Sequence, residues 1–278
     1  MAAPFDHAGF TSQAKQGWSS AASGYDRISA ELFAPITSSF LAFTQLAPGQ
    51  LVLDLACGTG ALTTAAARAV GPTGRVVGVD LAPAMLKIAM SRADGLNLEY
   101  REMNAEELDF PDGVFQQVVC QLGLMLFARP QAALQEMTRV CKKGGSVACL
   151  VQGDPQRMLF TSLVNNALSK HAPELKQPGA PGLYAFGAVG VLDQALANAG
   201  LRHVVSSRMA GAFDFASPEE YWKIMTDGAG RTGALLQKLP EPKRRAVEED
   251  VLARAATFNK EGRLAIPYEV VMARGLKS

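Results

Sequence analysis

The chain has 278 residues, 48% of them hydrophobic, a length that accommodates one large α/β domain or a core domain with a small lid. Its 27 basic and 26 acidic residues leave a net charge of +1, without the basic surplus that a nucleic-acid-binding surface needs. Residues 1–10 lack a signal-peptide pattern, and no run reaches the roughly 20 apolar residues of a membrane span. We therefore expect no nucleic-acid partner and no membrane span.

An N-terminal helical cap is predicted over residues 1–47, because Ile28, Leu32, Ile36 and Phe40 recur at every fourth position. Pro48 and Gly49 then break the chain.

A Rossmann-like core is predicted over residues 48–210, where short apolar runs alternate with helical patterns. The predicted strands lie at 51–55, 76–80, 98–103, 114–120, 146–151 and 203–209. A helical lid or substrate insertion at 211–264 precedes the last core strand, which lies within 265–278. Nearly all-apolar strands in this rhythm favour an α/β fold with a doubly wound, seven-stranded, mostly parallel sheet.

Residues 51–70 contain the most informative feature, a strand that turns through glycines into a helix. Gly58 and Gly60 allow the backbone to turn tightly and to approach a ligand. The following helix presents free N–H groups to an anion or dipole. Asp80 closes the second strand 20 residues after Gly60, where its carboxylate suits ribose hydroxyls. The segment therefore predicts a nucleoside site.

An NAD(P)-dependent oxidoreductase is an alternative at this point, because the dinucleotide fingerprint G-x-G-x-x-G/A also follows a strand. Thr63 occupies the third small position of that fingerprint, which is a modest mismatch. A Tyr-x-x-x-Lys catalytic pair is also missing at Tyr184, Tyr221 and Tyr268.

Four blocks over residues 51–145 resemble class I S-adenosylmethionine-dependent methyltransferases, closest to the ubiquinone/menaquinone-biosynthesis type and its small-molecule relatives. The first block is Asp54 to Gly60. In the family's order, 79–86 resembles G-x-D-x-S-x-x-M-L, 104–115 resembles D-A-E-x-L-P-F-x-D-x-S-F-D, and 136–145 resembles E-x-x-R-V-L-K-P-G-G. The segment from Trp18 to Asp26 is also similar. The resemblance fades after Gly153, where acceptor specificity normally lies.

The resemblance implies S-adenosyl-L-methionine as the cofactor and S-adenosyl-L-homocysteine as its product. It implies that the glycine loop holds the methionine moiety, that Asp80 holds the ribose, and that later residues surround the adenine. The predicted cofactor-binding residues are Tyr25, Asp54, Gly58, Gly60, Asp80, Leu81, Met85, Asn104, Ala105 and Gln121.

Several of these residues have a structural alternative. Asp54 is equally suited to fixing the glycine loop, Asp80 to capping a helix, and Met85 to the core. Gln121 follows the fourth strand, where ligands of doubly wound sheets bind, and its alternative is a loop amide bonded to backbone. Tyr25 is expected to cover the sulfonium face, and its alternative role is packing in an N-terminal helix.

Two positions depart from the family pattern. Asn104 stands where the family usually has an Asp that accepts from the adenine amino group, and an amide oxygen can still accept. Gln117 replaces an Asp early in the fourth strand, and we draw nothing from it. Glu106 is expected to be solvated.

The implied reaction is an in-line SN2 transfer of methyl to an N, O or C atom of a small acceptor. A general base helps only where the acceptor must lose a proton. The catalytic residues are unknown from the sequence, with His171 and Tyr25 as candidates. His203 ranks with His171, but it falls in a predicted strand.

The acceptor pocket is expected between the N-terminal helices, residues 121–127, residues 152–154 and the insertion. Tyr221, Trp222 and Met225 give the insertion a soft lining, which predicts a fairly apolar acceptor, and packing of a lid on the core is an equal alternative. A non-catalytic protein that binds S-adenosylmethionine or S-adenosylhomocysteine is a further alternative, and a homodimer is left open.

Cysteines and histidines show no metal-ligand spacing along the chain, so we expect no metal. The four cysteines are Cys57, Cys120, Cys141 and Cys149. Their apolar or Gly-rich surroundings are typical of reduced, buried thiols, which indicates a cytoplasmic protein.

Overall fold

A mixed β-sheet forms the centre of the computed structural model, which describes residues 5–93, 95–176, 178–228, 231–260 and 262–278. The strands are β1 (Leu51–Leu55), β2 (Arg75–Asp80), β3 (Leu98–Glu102), β4 (Phe115–Gln121), β5 (Cys141–Gln152), β6 (Leu201–Phe215), β7 (Asn259–Lys260) and β8 (Arg263–Lys277). Seven of them follow the order β3-β2-β1-β4-β5-β8-β6, and β7 pairs with β8 outside this path.

Strand direction makes the sheet mostly parallel, as predicted. β1 to β5 pair in parallel, and β8 pairs antiparallel with both β5 and β6. The predicted seven-stranded, doubly wound sheet is therefore confirmed. The two-residue β7 was not predicted, because a segment this short carries no periodicity.

Helices cover both faces of the sheet. They are α1 (His7–Arg27), α2 (Ala34–Thr44), α3 (Ala61–Val70), α4 (Pro83–Met90), α5 (Pro130–Val140), α6 (Leu159–His171), α7 (Val191–Asn198), α8 (Pro218–Gly228), α9 (Arg231–Lys238) and α10 (Glu241–Ala256). Apolar residues of α2, α3, α6, α8 and α10 share one buried cluster, and those of α5 and α7 share another. The strands between these clusters are buried on both faces, which explains their nearly continuous apolar runs.

The N-terminal cap contains a break that the fourfold spacing did not predict. Ile36 and Phe40 are fully buried in α2, whereas Ile28 and Leu32 lie in a π-helical turn that joins α1 to α2. Phe33 ends this turn and starts α2. The regular spacing therefore continues across the boundary between the π-helical turn and α2.

The helical insertion is shorter than predicted. β6 continues to Phe215 and pairs there with Leu264 of β8, so the ends of the predicted segment 211–264 are strands. Alternation in 211–215 is weak, since four of its residues are Gly, Ala or Phe. Helices α8, α9 and α10 fill the middle of the insertion.

Candidate cofactor site

A cavity lies at the carboxyl ends of β1, β2 and β4, beneath helix α1. Its position is the one where doubly wound sheets bind ligands. Its walls come from α1, the glycine loop, the start of α4 and the loops after β3 and β4: Phe10, Thr11, Ala14, Trp18, Tyr25, Ala56, Gly58, Asp80, Leu81, Met85, Met103, Asn104, Ala105, Glu106, Gln121, Leu122, Gly123, Leu126, Phe127 and Ala128. Eight of the ten predicted cofactor-binding residues are in this wall.

The loop after β1 brings backbone against the cavity. Gly58 has φ 55°, in the left-handed region that glycine adopts at little cost. A β-carbon there would lie 3.4 Å from the Tyr25 ring, so a larger side chain would narrow the cavity. The Gly58 N–H donates to Oδ2 of Asp80 at 2.9 Å, which joins the loop to the end of β2.

Gly60 is not among the described residues of the cavity wall, and its contact with the cofactor stays a prediction. It has φ 81° and precedes α3. A β-carbon on Gly60 would lie 2.3 Å from the hydroxyl of Tyr100, so glycine is required there for close packing. The first turn of α3 is likewise absent from the described wall of the cavity.

Asp80 presents its carboxylate at the centre of the site. Oδ2 accepts from Gly58, and Oδ1 accepts from the N–H of Ala82 at 2.8 Å, so Asp80 also fixes the approach to α4. Burial raises the pKa of Asp80, and the backbone hydrogen bonds act against this rise. Each carboxylate oxygen retains a lone pair for a ligand, so the ribose and capping roles are compatible.

Asp54 lies behind the loop and not in the cavity wall. It is fully buried and accepts a hydrogen bond from the Thr63 hydroxyl at 2.7 Å. Burial raises the pKa of Asp54 to about 7, while Thr63 lowers it and the nearby Asp80 raises it further. Asp54 thus links β1 to α3 through the hydroxyl of Thr63.

The loop after β3 forms the far end of the cavity. Asn104 and Ala105 line the cavity together with Leu81 and Met85. Oδ1 of Asn104 accepts from the backbone N–H of Glu106 at 3.0 Å.

Glu106 is buried, which shows that its expected solvation was wrong. Its side chain is 3% exposed and pairs with Nε of Arg129 at 2.8 Å. It also accepts from the Arg129 backbone N–H at 3.0 Å. The carboxylate therefore joins the loop after β3 to the loop that precedes α5.

Gln121 ends β4 and faces the cavity. Its Nε2 donates to Oγ1 of Thr37 at 2.9 Å, and its buried Oε1 has no hydrogen-bond partner among the described residues. The alternative of an amide satisfied by backbone is therefore wrong. Thr37 was missed by the sequence, because a hydroxyl in the interior of α2 carries no local signal.

Tyr25 closes the cavity from α1. Its ring packs edge-on against Trp18, with 5.3 Å between the ring centroids, and Trp18 also lines the wall. Burial raises the pKa of Tyr25 above its usual value, and the carboxylates of Asp80 and Asp54 raise it further. A phenol that keeps its proton at neutral pH is unsuited to act as a general base. Tyr25 is therefore placed to wall the ligand.

Neither histidine candidate reaches the cavity. His171 ends α6, and its Nε2 lies 3.0 Å from Oδ2 of Asp250 on α10. This contact joins two helices outside the cavity wall, so the position of His171 lends no support to its candidacy as a general base. His203 lies at an irregularity in β6, exposed and with φ 50°.

The described residues of the insertion do not line this cavity, whereas α1 and residues of the expected segment 121–127 do. Tyr221 is fully buried and donates its hydroxyl to the carbonyl of Phe160 at 2.7 Å. Trp222 and Met225 are buried in the same apolar cluster. Gln152, from the predicted segment 152–154, accepts instead from the Thr161 hydroxyl. Packing on the core was thus the correct alternative.

The four cysteines are buried and unpaired, as predicted for reduced thiols. Gln117 is buried and hydrogen-bonded to Ser146. The described part of the chain contains no cluster of His, Cys, Asp and Glu that could hold a metal ion. Within the same residues, each helix is too short or too polar to span a membrane.

Residues 52–145 match a family model described as a methyltransferase domain. An uncharacterized protein of Mycobacterium tuberculosis is 37% identical over 142 residues, covering 49% of this chain and 51% of that protein. Demethylmenaquinone methyltransferase of Bacillus cytotoxicus is 40% identical over 119 residues, covering 42% of this chain and 50% of the enzyme. The chain thus spans about half the length of the curated relatives it matches.

A solved structure shares the fold over nearly the whole of this chain. Phosphoethanolamine N-methyltransferase 2 of Haemonchus contortus, in complex with phosphomonomethylethanolamine and S-adenosylhomocysteine, superposes with a TM-score of 0.61 at 15% identity, covering 99% of this chain and 60% of that one. Residues 52–145 are therefore similar to a methyltransferase domain, within a chain that has a Rossmann-like fold. The predicted resemblance is confirmed at both levels.

Proposed function

We propose that this protein is an S-adenosylmethionine-dependent methyltransferase that acts on a small, fairly apolar molecule. The observation that carries the proposal is Asp80, which ends β2 in the cavity wall and accepts backbone N–H groups of Gly58 and Ala82. The glycine loop and the Asn104 loop border the same cavity. This arrangement suits a nucleoside joined to an amino-acid tail.

The charges of the site fit a cationic cofactor. Asp80 and Asp54 make no ion pair with any described residue, and burial raises the pKa of both. Gln121 adds a buried oxygen without a donor. A ligand that brings an ammonium and a sulfonium supplies the missing donors and positive charge.

Each group of residues has an assigned task in this proposal. Asp80 holds the ribose hydroxyls, Leu81 and Met85 enclose the adenine, and Asn104 with Ala105 meets its edge. Gly58 and Gln121 contact the methionine half, and Asp54 acts from behind the loop. Tyr25 covers the sulfonium, because an aromatic face favours a methyl-bearing cation.

The bound cofactor supplies a methyl group that is already activated by positive charge. The chain holds the acceptor in line with that methyl, excludes water and leaves proton removal to acceptors that need it. No histidine is among the described residues of the wall, and Tyr25 keeps its proton. Catalysis by positioning therefore fits this site.

An apolar acceptor agrees with the remaining wall of the cavity. Phe10, Trp18, Leu126 and Phe127 contribute aromatic and aliphatic surface around its mouth and sides. One relative is named demethylmenaquinone methyltransferase, a name that agrees with an apolar acceptor. We also propose a cytoplasmic location, since the four thiols are unpaired. A homodimer stays a prediction, to be checked by light scattering.

Isothermal titration with S-adenosylhomocysteine and with NADH tests the cofactor. We expect micromolar binding of the first and none of the second. Absence of S-adenosylhomocysteine binding would refute the proposed function. A screen of acceptors with labelled S-adenosylmethionine then separates an enzyme from a protein that binds without transfer.

Replacement of Asp80 tests the ribose contact. Each hydrogen bond to a charged group contributes roughly 1.5 to 3 kcal/mol, and Asp80 would accept one from each of two ribose hydroxyls. Asp80→Ala should therefore weaken S-adenosylhomocysteine binding at least about 100-fold. Asp109→Ala removes an exposed carboxylate near the Asn104 loop and should leave binding unchanged. Equal affinities of the two variants would exclude Asp80 as the ribose ligand.

A further inference from the structure

The two edges of the sheet differ in length and in charge. β3, at one end of the strand order, has 5 residues, and β6, at the other end, has 15. Glu99, Arg101 and Glu102 of β3 form ion pairs, and charges of this kind discourage pairing with a further strand. Residues 204–213 of β6 contain one charged residue, Arg208, and it pairs with the buried Glu269. The edge of β6 therefore lacks the protection that β3 has.

The register of β6 shows which of its backbone groups point outward. The Glu269 carbonyl on β8 accepts from the N–H of Gly153 at 2.8 Å, so the backbone groups of Glu269 face β5. Ala210 is the antiparallel partner of Glu269, and its own backbone groups must therefore face away from β8. Every second residue shares this direction, which gives the outward set Ser206, Arg208, Ala210, Ala212 and Asp214.

The outward set is accessible along its whole length. All five residues are exposed, and within the described part of the chain their backbone N–H and C=O groups have no hydrogen-bond partner. Four of the five exposed large apolar side chains among the described residues also lie near this edge. Val205 is on β6, Leu276 is on the paired strand β8, and Val189 and Val191 lie at the start of α7, which packs on β6. Unpaired strand edges and apolar patches of this kind mark association surfaces.

We propose that two copies of this chain pair through their β6 edges, antiparallel about a two-fold axis at Ala210, and so form one continuous sheet. Each copy then donates its five outward N–H groups across the axis. Ser206 lies opposite the partner's Asp214, which sets a hydroxyl against a carboxylate, and Arg208 lies opposite the partner's Ala212. A register centred on Arg208 would instead place two like charges opposite each other.

This inference gives a surface to the homodimer that stands as a prediction in the proposed function. It does not depend on the cofactor, because β6 contributes no described residue to the cavity wall. Association and S-adenosylhomocysteine binding can therefore be measured as separate properties.

Analytical ultracentrifugation of the full chain over a range of micromolar concentrations tests the surface. We expect the wild type to reach twice the chain mass of 29.5 kDa. Ala210→Pro removes the N–H at the axis and keeps the bonds to β8, since proline is tolerated where the N–H of an edge strand faces solvent. It should weaken the dimer at least about tenfold. Ala210→Ser retains the N–H and should associate as the wild type does.

Cysteine cross-linking tests the register. Ala210→Cys places two thiols opposite each other with Cα atoms about 5.5 Å apart, within the range of a disulfide. Diamide takes up the electrons and protons that the thiols release, so it should give a covalent dimer on a non-reducing gel. In Ala212→Cys, the matched change on the same face of the strand, the two thiols lie about 14 Å apart along the strands and should not cross-link. The four native cysteines are buried and should contribute little background.

The outcomes separate this proposal from the proposed function. A wild type that stays monomeric at every concentration refutes the surface, as does an Ala210→Pro variant that associates like the wild type. Cross-linking of Ala212→Cys as efficient as that of Ala210→Cys refutes the register. Thermal unfolding checks that Ala210→Pro is folded, and the cysteine variants decide the question if it is not. A dimer that does not bind S-adenosylhomocysteine refutes the proposed function and leaves the β6 surface standing.

Discussion

Asp54 and Asp80 place two buried carboxylates on adjacent strands, without a cation beside them in the described residues. Such groups are costly in a folded protein unless a ligand compensates them. Thr63 and the backbone N–H groups of Gly58 and Ala82 reduce the cost, but they bring no positive charge. The two uncompensated carboxylates therefore favour the binding of a cationic ligand at this site.

The raised pKa of Asp54 predicts a pH-dependent stability. In the folded state the pKa is about 7, against a usual 3.8. Between these values the folded state holds a proton that the unfolded chain releases, so the free energy of unfolding should fall as pH rises toward 7. One proton contributes at most about 1.4 kcal/mol per pH unit.

Urea unfolding of the ligand-free protein between about pH 5 and 8 measures this slope. Asp54→Asn removes the titrating group and keeps an acceptor for Thr63, so its slope should be shallower. Asp80 also has a raised pKa and should leave a residual slope. An identical slope in the wild type and Asp54→Asn would contradict the assignment.

Replacement of Gln121 is expected to weaken ligand binding and to leave the free energy of unfolding nearly unchanged. Its Oε1 is buried without a partner, so Gln121→Leu removes an unsatisfied acceptor together with the bond to Thr37. These effects offset one another, and the free energy of unfolding should change by no more than about 1 kcal/mol. Binding of S-adenosylhomocysteine should weaken about tenfold.

Calorimetry and urea unfolding measure the two quantities separately. Gln156→Leu, the same replacement at an exposed position, serves as the control and should leave the affinity unchanged. If Gln121→Leu binds as tightly as the wild type, Gln121 does not contact the ligand.

At the scale of elements, α1 covers the cavity and the insertion supports α1 from outside. Helices α1 and α8 cross at Gly24 and Gly228, where a β-carbon on Gly24 would lie 2.1 Å from the carbonyl oxygen of Asp227. Arg27 forms an ion pair with Asp227 at 3.6 Å near the same crossing. The insertion therefore contributes to the site by holding α1 in place.

A methyl group at this crossing should displace α1. Gly24→Ala is expected to weaken binding of S-adenosylhomocysteine and to increase its dissociation rate, because Phe10, Trp18 and Tyr25 line the cavity from α1. Hydrogen exchange of residues 7–27, followed by mass spectrometry, measures the loosening. Ser23→Ala, an exposed change on the same helix, should alter neither quantity. Unchanged exchange and binding in Gly24→Ala would show that α8 does not support α1.

At the scale of the whole molecule, ligand binding should stabilise the fold by mass action. The cavity wall draws on α1, α4 and the loops of three strands, so a ligand contacts elements from residue 10 to residue 128. At 100 times its dissociation constant, S-adenosylhomocysteine should add about 2.7 kcal/mol to the free energy of unfolding. For a chain of this size, the midpoint of thermal unfolding should rise by on the order of 5 °C.

Differential scanning fluorimetry measures this shift. NADH at the same concentration should give none, and Asp80→Ala should lose most of the shift with S-adenosylhomocysteine. A shift of equal size with NADH would indicate binding that does not depend on the nucleoside site proposed here.

The sequence predicted the core because its signals are local. Apolar runs and glycine turns marked the strands that carry Asp80 and Gln121. The four blocks predicted the similarity of residues 52–145 to a methyltransferase domain. Strand ends of a parallel sheet converge on one edge, so correct strands placed most of the candidate site correctly.

Tertiary structure decided where helices pack and which polar groups meet. Gly60 meets Tyr100, His171 meets Asp250, and Tyr221 enters the core, although each was compatible with a ligand role. Each of these outcomes depends on a contact between residues that are far apart in the chain. The local spacing of residues does not predict such contacts. The sequence by itself thus determined the sheet and the residues at its carboxyl edge, while only tertiary packing decided which of those residues line a cavity.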